Sequence, residues 1–148
     1  MSLFNTLNVS SSGLTAQQLR MDVISQNIAN VDTTRTETGE AYKRKTVLFQ
    51  ERSNKYSFSD YFNESVSRTN SGNGVRVTKI VEDQTPGARV YEPGHPDADE
   101  DGYVTKPNVN IVEEMVNMIS ASRSYEANVT AISNTKAMIA RTLEIGRT

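Results

Sequence analysis

Two stretches near the ends of this chain of 148 residues repeat apolar side chains at alternating intervals of four and three, and hardly any charge accompanies them. The first runs Leu3, Leu7, Ser10, Leu14, Gln17, Met21, Ile24, Ile28, Val31. The second runs Ile111, Met115, Met118, Ser122, Tyr125, Val129, Ile132, Lys136, Ile139, Leu143. This spacing keeps one stripe of a helix facing a neighbouring helix. The remaining faces are unusual. From Leu3 to Val31 the only charges are Arg20 and Asp22, while Ser, Thr, Asn and Gln fill thirteen positions. Between Val116 and Met138 only Arg123, Glu126 and Lys136 are charged. A helix with one face in water ordinarily carries Lys and Glu there. Uncharged flanks imply that other protein covers them. An intramolecular hairpin of two helices accounts for one face of each helix and leaves those flanks unexplained.

Charge is concentrated between the helices. Residues 32–107 hold 24 of the 34 Asp, Glu, Lys and Arg residues. The expected organisation is therefore an N-terminal helix within 1–31, a solvated β-rich middle over 32–107, and a C-terminal helix within 108–148. The fold class is mainly α with a small β-rich middle, its two long helices forming a coiled-coil-like core. The net charge of −2 gives no basic footprint for nucleic acid. With no cysteine there is no disulfide, thiol nucleophile or zinc–thiolate site. The N-terminus lacks the basic region and apolar run of a cleavable secretory signal.

The first helix is expected over 3–29, with Gly13 as a point of bending or fraying and Asn30, Asp32 and the following threonines ending it. Strands are expected within 42–50, 75–81, 88–91 and 102–105, with Pro86-Gly87 as a turn. Phe58, Phe62 and Val66 recur every fourth residue and suggest a short helix near 57–67. Asn110 is placed to cap the last helix, with Glu113 and Glu114 at its positive end and Gly146 at its stop.

Candidate chemistry is sparse. Asp97, Asp99, Asp101 and Gly102 match the opening of a calcium-binding loop, but its twelfth position is Asn108 where a bidentate Glu is needed. A solvated acidic turn is the simpler reading. His95 is the only histidine and has no ligand or nucleophile motif beside it. Lys43-Arg44-Lys45 reads as a solvated or interface charge patch. No catalytic residue, metal, cofactor, nucleic acid or small-molecule substrate is expected.

Several segments resemble the axial proteins of the bacterial flagellum. Ser11 to Gln18 with Met21 to Asn30 is similar to the N-terminal signature of rod and hook subunits. Tyr42-Lys43-Arg44 resembles the element that follows it. Asn108-Val109-Asn110, Glu113 to Val116 and Ser122 to Asn128 resemble the C-terminal signature. The short middle, with Val90 to Pro93 and Gly102 to Val104, points to the proximal rod. The resemblance implies a structural subunit of the basal-body rod that links motor torque to hook and filament. Its implied partners are other rod subunits, further copies of itself, and the flagellar type III export apparatus, reached without signal cleavage. The assembly interface is expected at Leu7, Leu14, Met21, Ile24, Ile28, Ile111, Met115, Met118, Tyr125, Val129, Ile132, Ile139 and Leu143. A soluble helical adaptor or export chaperone of the same system is the alternative.

Helices whose stability comes from packing should be under-formed in isolation. Circular dichroism of dilute monomer should show less helix than the sequence pattern promises. Full hydrogen-exchange protection of residues 3–30 in that monomer would contradict this.

Overall fold

A computed structural model describes residues 3–52 and 72–146. In chain order it contains α1 (Leu3–Ala29), β1 (Lys45–Glu51), β2 (Val75–Glu82), β3 (Arg89–Tyr91), β4 (Tyr103–Thr105) and α2 (Ile111–Ile145). The two long helices flank a middle built of small antiparallel sheets, so the fold class is the expected one. The helix expected near 57–67 lies outside the described residues.

The 27 residues of α1 run unbroken through Gly13. What Gly13 provides is proximity. A Cβ there would stand 3.0 Å from the side-chain oxygen of Asn128 on α2. Fourteen residues further along α1, Asn27 bonds to Glu114, fourteen residues back along α2. The two helices therefore lie antiparallel and stay in register over about 20 Å at 1.5 Å per residue. The end of α1 is closed by turns from Asn30 N–H to Gln26 O and from Thr33 N–H to Asn30 O, each 3.1 Å.

On α2 the Asn110 side chain accepts the N–H of Val112 at 3.0 Å and caps the helix, and Gly146 ends it. The line that faces α1 is not centred on the apolar series. Buried Glu114, Ala121 and Thr135 are spaced by seven and fourteen residues, with half-buried Met118, Tyr125, Asn128, Ile132 and Ile139 along the same line. The apolar series is turned toward one flank of that line. It shares Met118, Tyr125, Ile132 and Ile139 with it, while Ile111, Met115, Val129 and Leu143 stay exposed. Close approach explains the rotation. Ala121 is wholly buried and Gly13 has no side chain, so the crossing admits small residues and displaces large ones.

β1 and β2 pair from Lys45 opposite Glu82 to Glu51 opposite Val75, with a bulge between Leu48 and Phe49. This hairpin packs on the side of α1 next to the α2 contact. Ser12 joins them. Its hydroxyl donates to Val9 O at 2.6 Å and accepts Val75 N–H at 3.0 Å. The core thus lies along α1, at Ala16, Val23 and Ile24, between α2 and the hairpin. Among the described residues of the middle, Tyr42 and Val104 are buried while Leu48, Phe49 and Ile80 are exposed. β3 and β4 form a separate ribbon, with Tyr91 and Tyr103 edge to face at 5.3 Å and Val104 buried beneath.

Gly74 carries the chain onto α1 with φ +89°, and a Cβ there would collide with the Ser12 side chain and come within 3.3 Å of the Val9 backbone. Gly74→Ala should cost about 1–3 kcal/mol from the backbone conformation alone. Urea unfolding of the full chain should show the lowered midpoint.

Candidate functional site

A helix pair with a thin apolar core needs something to fix where its middle region attaches. The structure does this with a buried polar joint. Asn27, at the end of α1, and Glu114, in the first turn of α2, are each only 1% exposed. The Glu114 carboxylate accepts Arg44 Nε–H at 2.9 Å and Arg44 Nη2–H at 2.7 Å on one oxygen, and Asn27 Nδ2–H at 2.9 Å on the other. Asn27 uses its full capacity. Its amide donates to Glu114 and to Lys45 O at 2.8 Å, and its oxygen accepts Tyr42 O–H at 3.0 Å and Lys45 N–H at 2.9 Å.

Asn108 closes the joint from the third side. It accepts Arg44 N–H at 2.7 Å and donates to Asp83 O and Thr85 O at 3.1 and 2.9 Å. Burial raises the Tyr42 phenol above its ordinary pKa, with the charges of Glu82 and Glu114 adding to it. Tyr42 thereby stays neutral and able to donate to Asn27. Burial opposes the Arg44 charge, but the bond to Glu114 and the charges of Glu114, Glu113 and Asp83 outweigh it and hold the guanidinium above its ordinary value.

The basic run therefore divides. Arg44 turns inward, whereas Lys43 pairs with Glu40 at 2.6 Å and Lys45 stands over the Tyr42 ring at 5.7 Å. No sequence signal marks the inward role of Arg44, because the acid it pairs with lies 70 positions away. The acidic turn is engaged in a similar manner. Asp97 accepts the Thr34 hydroxyl at 2.8 Å and pairs with Arg35 at 3.5 Å, and Asp99 pairs with Arg89 at 3.0 Å. His95 Nδ1 accepts Asp97 N–H at 3.1 Å. These carboxylates serve to tie the 33–41 loop and β3 to the turn.

The residues expected at an assembly interface occupy the helix pair as follows. Ile24 is buried in the core. Leu7, Leu14, Met21 and Ile28 recur every seventh residue of α1 and are half-buried. Helical spacing puts them on the side of α1 opposite the β1–β2 hairpin. In an antiparallel pair the same side of α2 carries Ile111, Met115, Val129 and Leu143, which are exposed, bordered by half-buried Met118, Tyr125, Ile132 and Ile139. The two apolar series thus line one continuous face. Among the described elements α1 meets only α2, β1 and β2, and α2 meets only α1, so this face is open. Sequence reasoning missed a second exposed set, Val112, Val116 and Ile119 on the back of α2. Their own four-three spacing was legible but lay off the stripe that was followed.

Comparison with known proteins adds the following. Residues 7–35 match the family described as "Flagella basal body rod protein", and residues 100–145 match "Flagellar basal body rod FlgEFG protein C-terminal". The chain is 51% identical over 152 residues to "Flagellar basal-body rod protein FlgC" of Bacillus subtilis, covering 99% of this chain and 100% of that one. It is 50% identical over 149 residues to the protein of that name from Borreliella burgdorferi, with 98% of each covered. It is 39% identical over 147 residues to that of Salmonella typhimurium, covering 99% and 100%. The two matched ranges contain Asn27 on one side of the joint and Asn108 and Glu114 on the other.

Removing one partner of a buried pair strands the other charge. Glu114→Ala should destabilise the chain by about 3–5 kcal/mol. Adding Arg44→Met to that variant should restore part of the loss. Urea unfolding of the two single variants and the double variant measures the coupling.

Proposed function

This chain belongs to the FlgC family of flagellar basal-body rod proteins, and on that premise we propose that it joins the rod through the open face of its helical hairpin. It is a structural subunit of the rod in the bacterial flagellar basal body, and it assembles with other rod components. The interface we propose comprises Leu7, Leu14, Met21, Ile28, Ile111, Met115, Val129 and Leu143, with Met118, Tyr125, Ile132 and Ile139 at its border and Ile24 beneath. One observation carries this reading: a long two-helix face is predominantly apolar, with Lys136 the one charged member of its two series, and no further described element of the chain covers it. A large exposed apolar surface of that kind marks a contact with other protein.

The finer parts of the reading belong with it. The protein has no catalytic role, and its carboxylates and single histidine act within turns and joints. It takes no cofactor, binds no nucleic acid and acts on no small molecule. It reaches the rod through the flagellar type III export apparatus without signal cleavage, and copies of it contact one another. Residues 1–31 and 108–148 act as the axial helices and 32–107 as the outer part that the helices carry. The buried joint makes these parts one mechanical unit, which suits a shaft that transmits torque. A soluble adaptor is not favoured, because its helix flanks would need solvating charge.

Met115 is 54% exposed in the folded chain and belongs to the proposed face. Met115→Asp should leave the unfolding midpoint of the isolated chain within about 0.5 kcal/mol of the parent, as for ordinary surface substitutions. In a deletion strain it should fail to restore rod, hook and filament, because assembly would bury an unpaired carboxylate. Electron microscopy and swimming assays decide this. Full motility of that strain would remove Met115 from the interface.

A further inference from the structure

The chain enters β2 through Asn73 and Gly74, and Asn73 is the only asparagine in the sequence that precedes a glycine. That pairing has chemical consequences. The peptide nitrogen of the next residue can attack an asparagine side-chain carbonyl, and a following glycine puts no Cβ in its way. The fold guards its other asparagines. Asn27 is 1% exposed and fully bonded within the joint. Asn30 and Asn128 each donate to a carbonyl one turn back, both at 2.8 Å. Asn108 and Asn110 are held by the joint and the helix cap, and each precedes a branched residue. Asn73 lies outside every helix and strand and is half-buried. Among the described residues, none is a hydrogen-bond partner of its side-chain amide.

The same position carries an attachment. Gly74 has φ +89° and its backbone passes so close to Ser12 that a Cβ would collide there. Its C=O accepts Arg52 N–H at 2.8 Å, and the next residue, Val75, donates its N–H to the Ser12 hydroxyl at 3.0 Å. Asn73 therefore stands immediately before the contact that ties this end of the β1–β2 hairpin to α1.

We propose that Asn73 is a site of spontaneous cyclisation onto Gly74, and that its isoaspartyl product releases this end of the hairpin from α1. The Gly74 nitrogen gives up its proton and bonds to Asn73 Cγ. The bond from Cγ to Nδ2 breaks, and Nδ2 leaves with that proton as ammonia. The resulting five-membered succinimide takes up one water. Opening at Cγ yields an aspartyl residue with the ordinary main chain. Opening at the main-chain carbonyl yields an isoaspartyl residue, with the chain rerouted through the former side chain and one carbon longer. No oxidant, metal or enzyme is required. The extra carbon enters directly before a backbone packed too closely to shift toward α1, so the Val75 bond to Ser12 is the one lost. The new carboxylate also arises on the side of the hairpin that carries Glu51, and like charges repel. The joint at Asn27 and Glu114 lies at the other end and stays closed.

The full chain is incubated in mildly alkaline buffer, and each asparagine is followed by peptide mapping and by isoaspartate methyltransferase labelling. Asn73 should convert about tenfold faster than Asn117 or any other asparagine of the folded chain, the effect of a barrier about 1.4 kcal/mol lower. Hydrogen exchange on the converted fraction should show lost protection at the Val75 amide and unchanged protection at the Lys45 amide. Asn73→Gln, which would need a larger ring, should suppress both changes. Conversion at Asn73 no faster than at Asn117, or conversion seen in urea but not in the folded chain, would overturn the site. Converted chains that keep full protection at Val75, or that lose it equally at Lys45, would overturn the release.

Discussion

A carboxylate that is 1% exposed between two helices sets the terms for this fold. Glu114 lies where an apolar residue would pack without help. Its charge is tolerable only if every lone pair facing the protein finds a donor. The donors come from different parts of the chain, Asn27 from α1 and Arg44 from the segment leading into β1. The carboxylate therefore cannot be satisfied until α1, the middle and α2 have all met in one arrangement. Apolar packing alone would not specify that arrangement. Ala16, Val23, Ile24 and Ala121 present small or interchangeable surfaces, and an antiparallel pair built on them could slide by a turn. The bond from Asn27 to Glu114 fixes the register that Gly13 and Asn128 then share. The polar joint supplies specificity, and the thin core supplies part of the stability.

The same joint explains where the middle region sits. Tyr42, Arg44 and Lys45 reach Asn27 and Glu114 just before β1 begins, so β1 leaves the joint already directed along α1. Ser12 takes over at the far end of the β1–β2 hairpin. The hairpin is tied at both ends and covers one side of α1. The opposite side keeps the apolar heptads. A single arrangement of polar bonds thereby decides which helix faces are private to the chain and which remain available to neighbours.

Much of this was legible beforehand, and the reasons differ by element. Helix limits at Leu3–Ala29 and near Ile111–Ile145 follow from periodicity, an Asn cap and a terminal Gly, all of which are local. Strand positions near Val75 and Tyr103 were readable from alternation and turn residues. The facing of α2 was not. The apolar series pointed to Ile111, Met115, Val129 and Leu143, whereas the helix turns Glu114, Ala121 and Thr135 inward. Small and even charged residues win these positions because the helices approach closely and because a polar partner waits opposite. Neither fact is visible in a one-dimensional pattern. The run Lys43-Arg44-Lys45 reads as a solvated or interface charge patch, and the inward turn of Arg44 stayed hidden for the same reason. Its mate is remote in sequence, and a basic triplet looks alike whether one member folds inward or none does. The motif Tyr42-Lys43-Arg44 carried the family resemblance without disclosing that its first and third residues enter the joint while the second stays outside.

The open face and the thin core are two aspects of one balance. Among the described residues only six apolar side chains are fully buried, and three of these are on α1. At about 2 kcal/mol for each fully buried large side chain, such a core offsets little of the conformational entropy of a chain this long. Apolar surface that could have enlarged the core is only half-covered on Leu7, Leu14, Met21 and Ile28 and lies exposed on the outward turns of α2. Placed inside, it would have made a more stable monomer with nothing left to offer a neighbour. Placed outside, it is the surface proposed above for assembly, on which folding and assembly would draw on the same side chains. Uncharged flanks follow directly. Lys or Glu at those positions would solvate the free chain and would have to be desolvated on every contact, weakening the assembly at each repeat. Ser, Thr, Asn and Gln leave the helices polar enough to stay apart in isolation, and neutral enough to be covered.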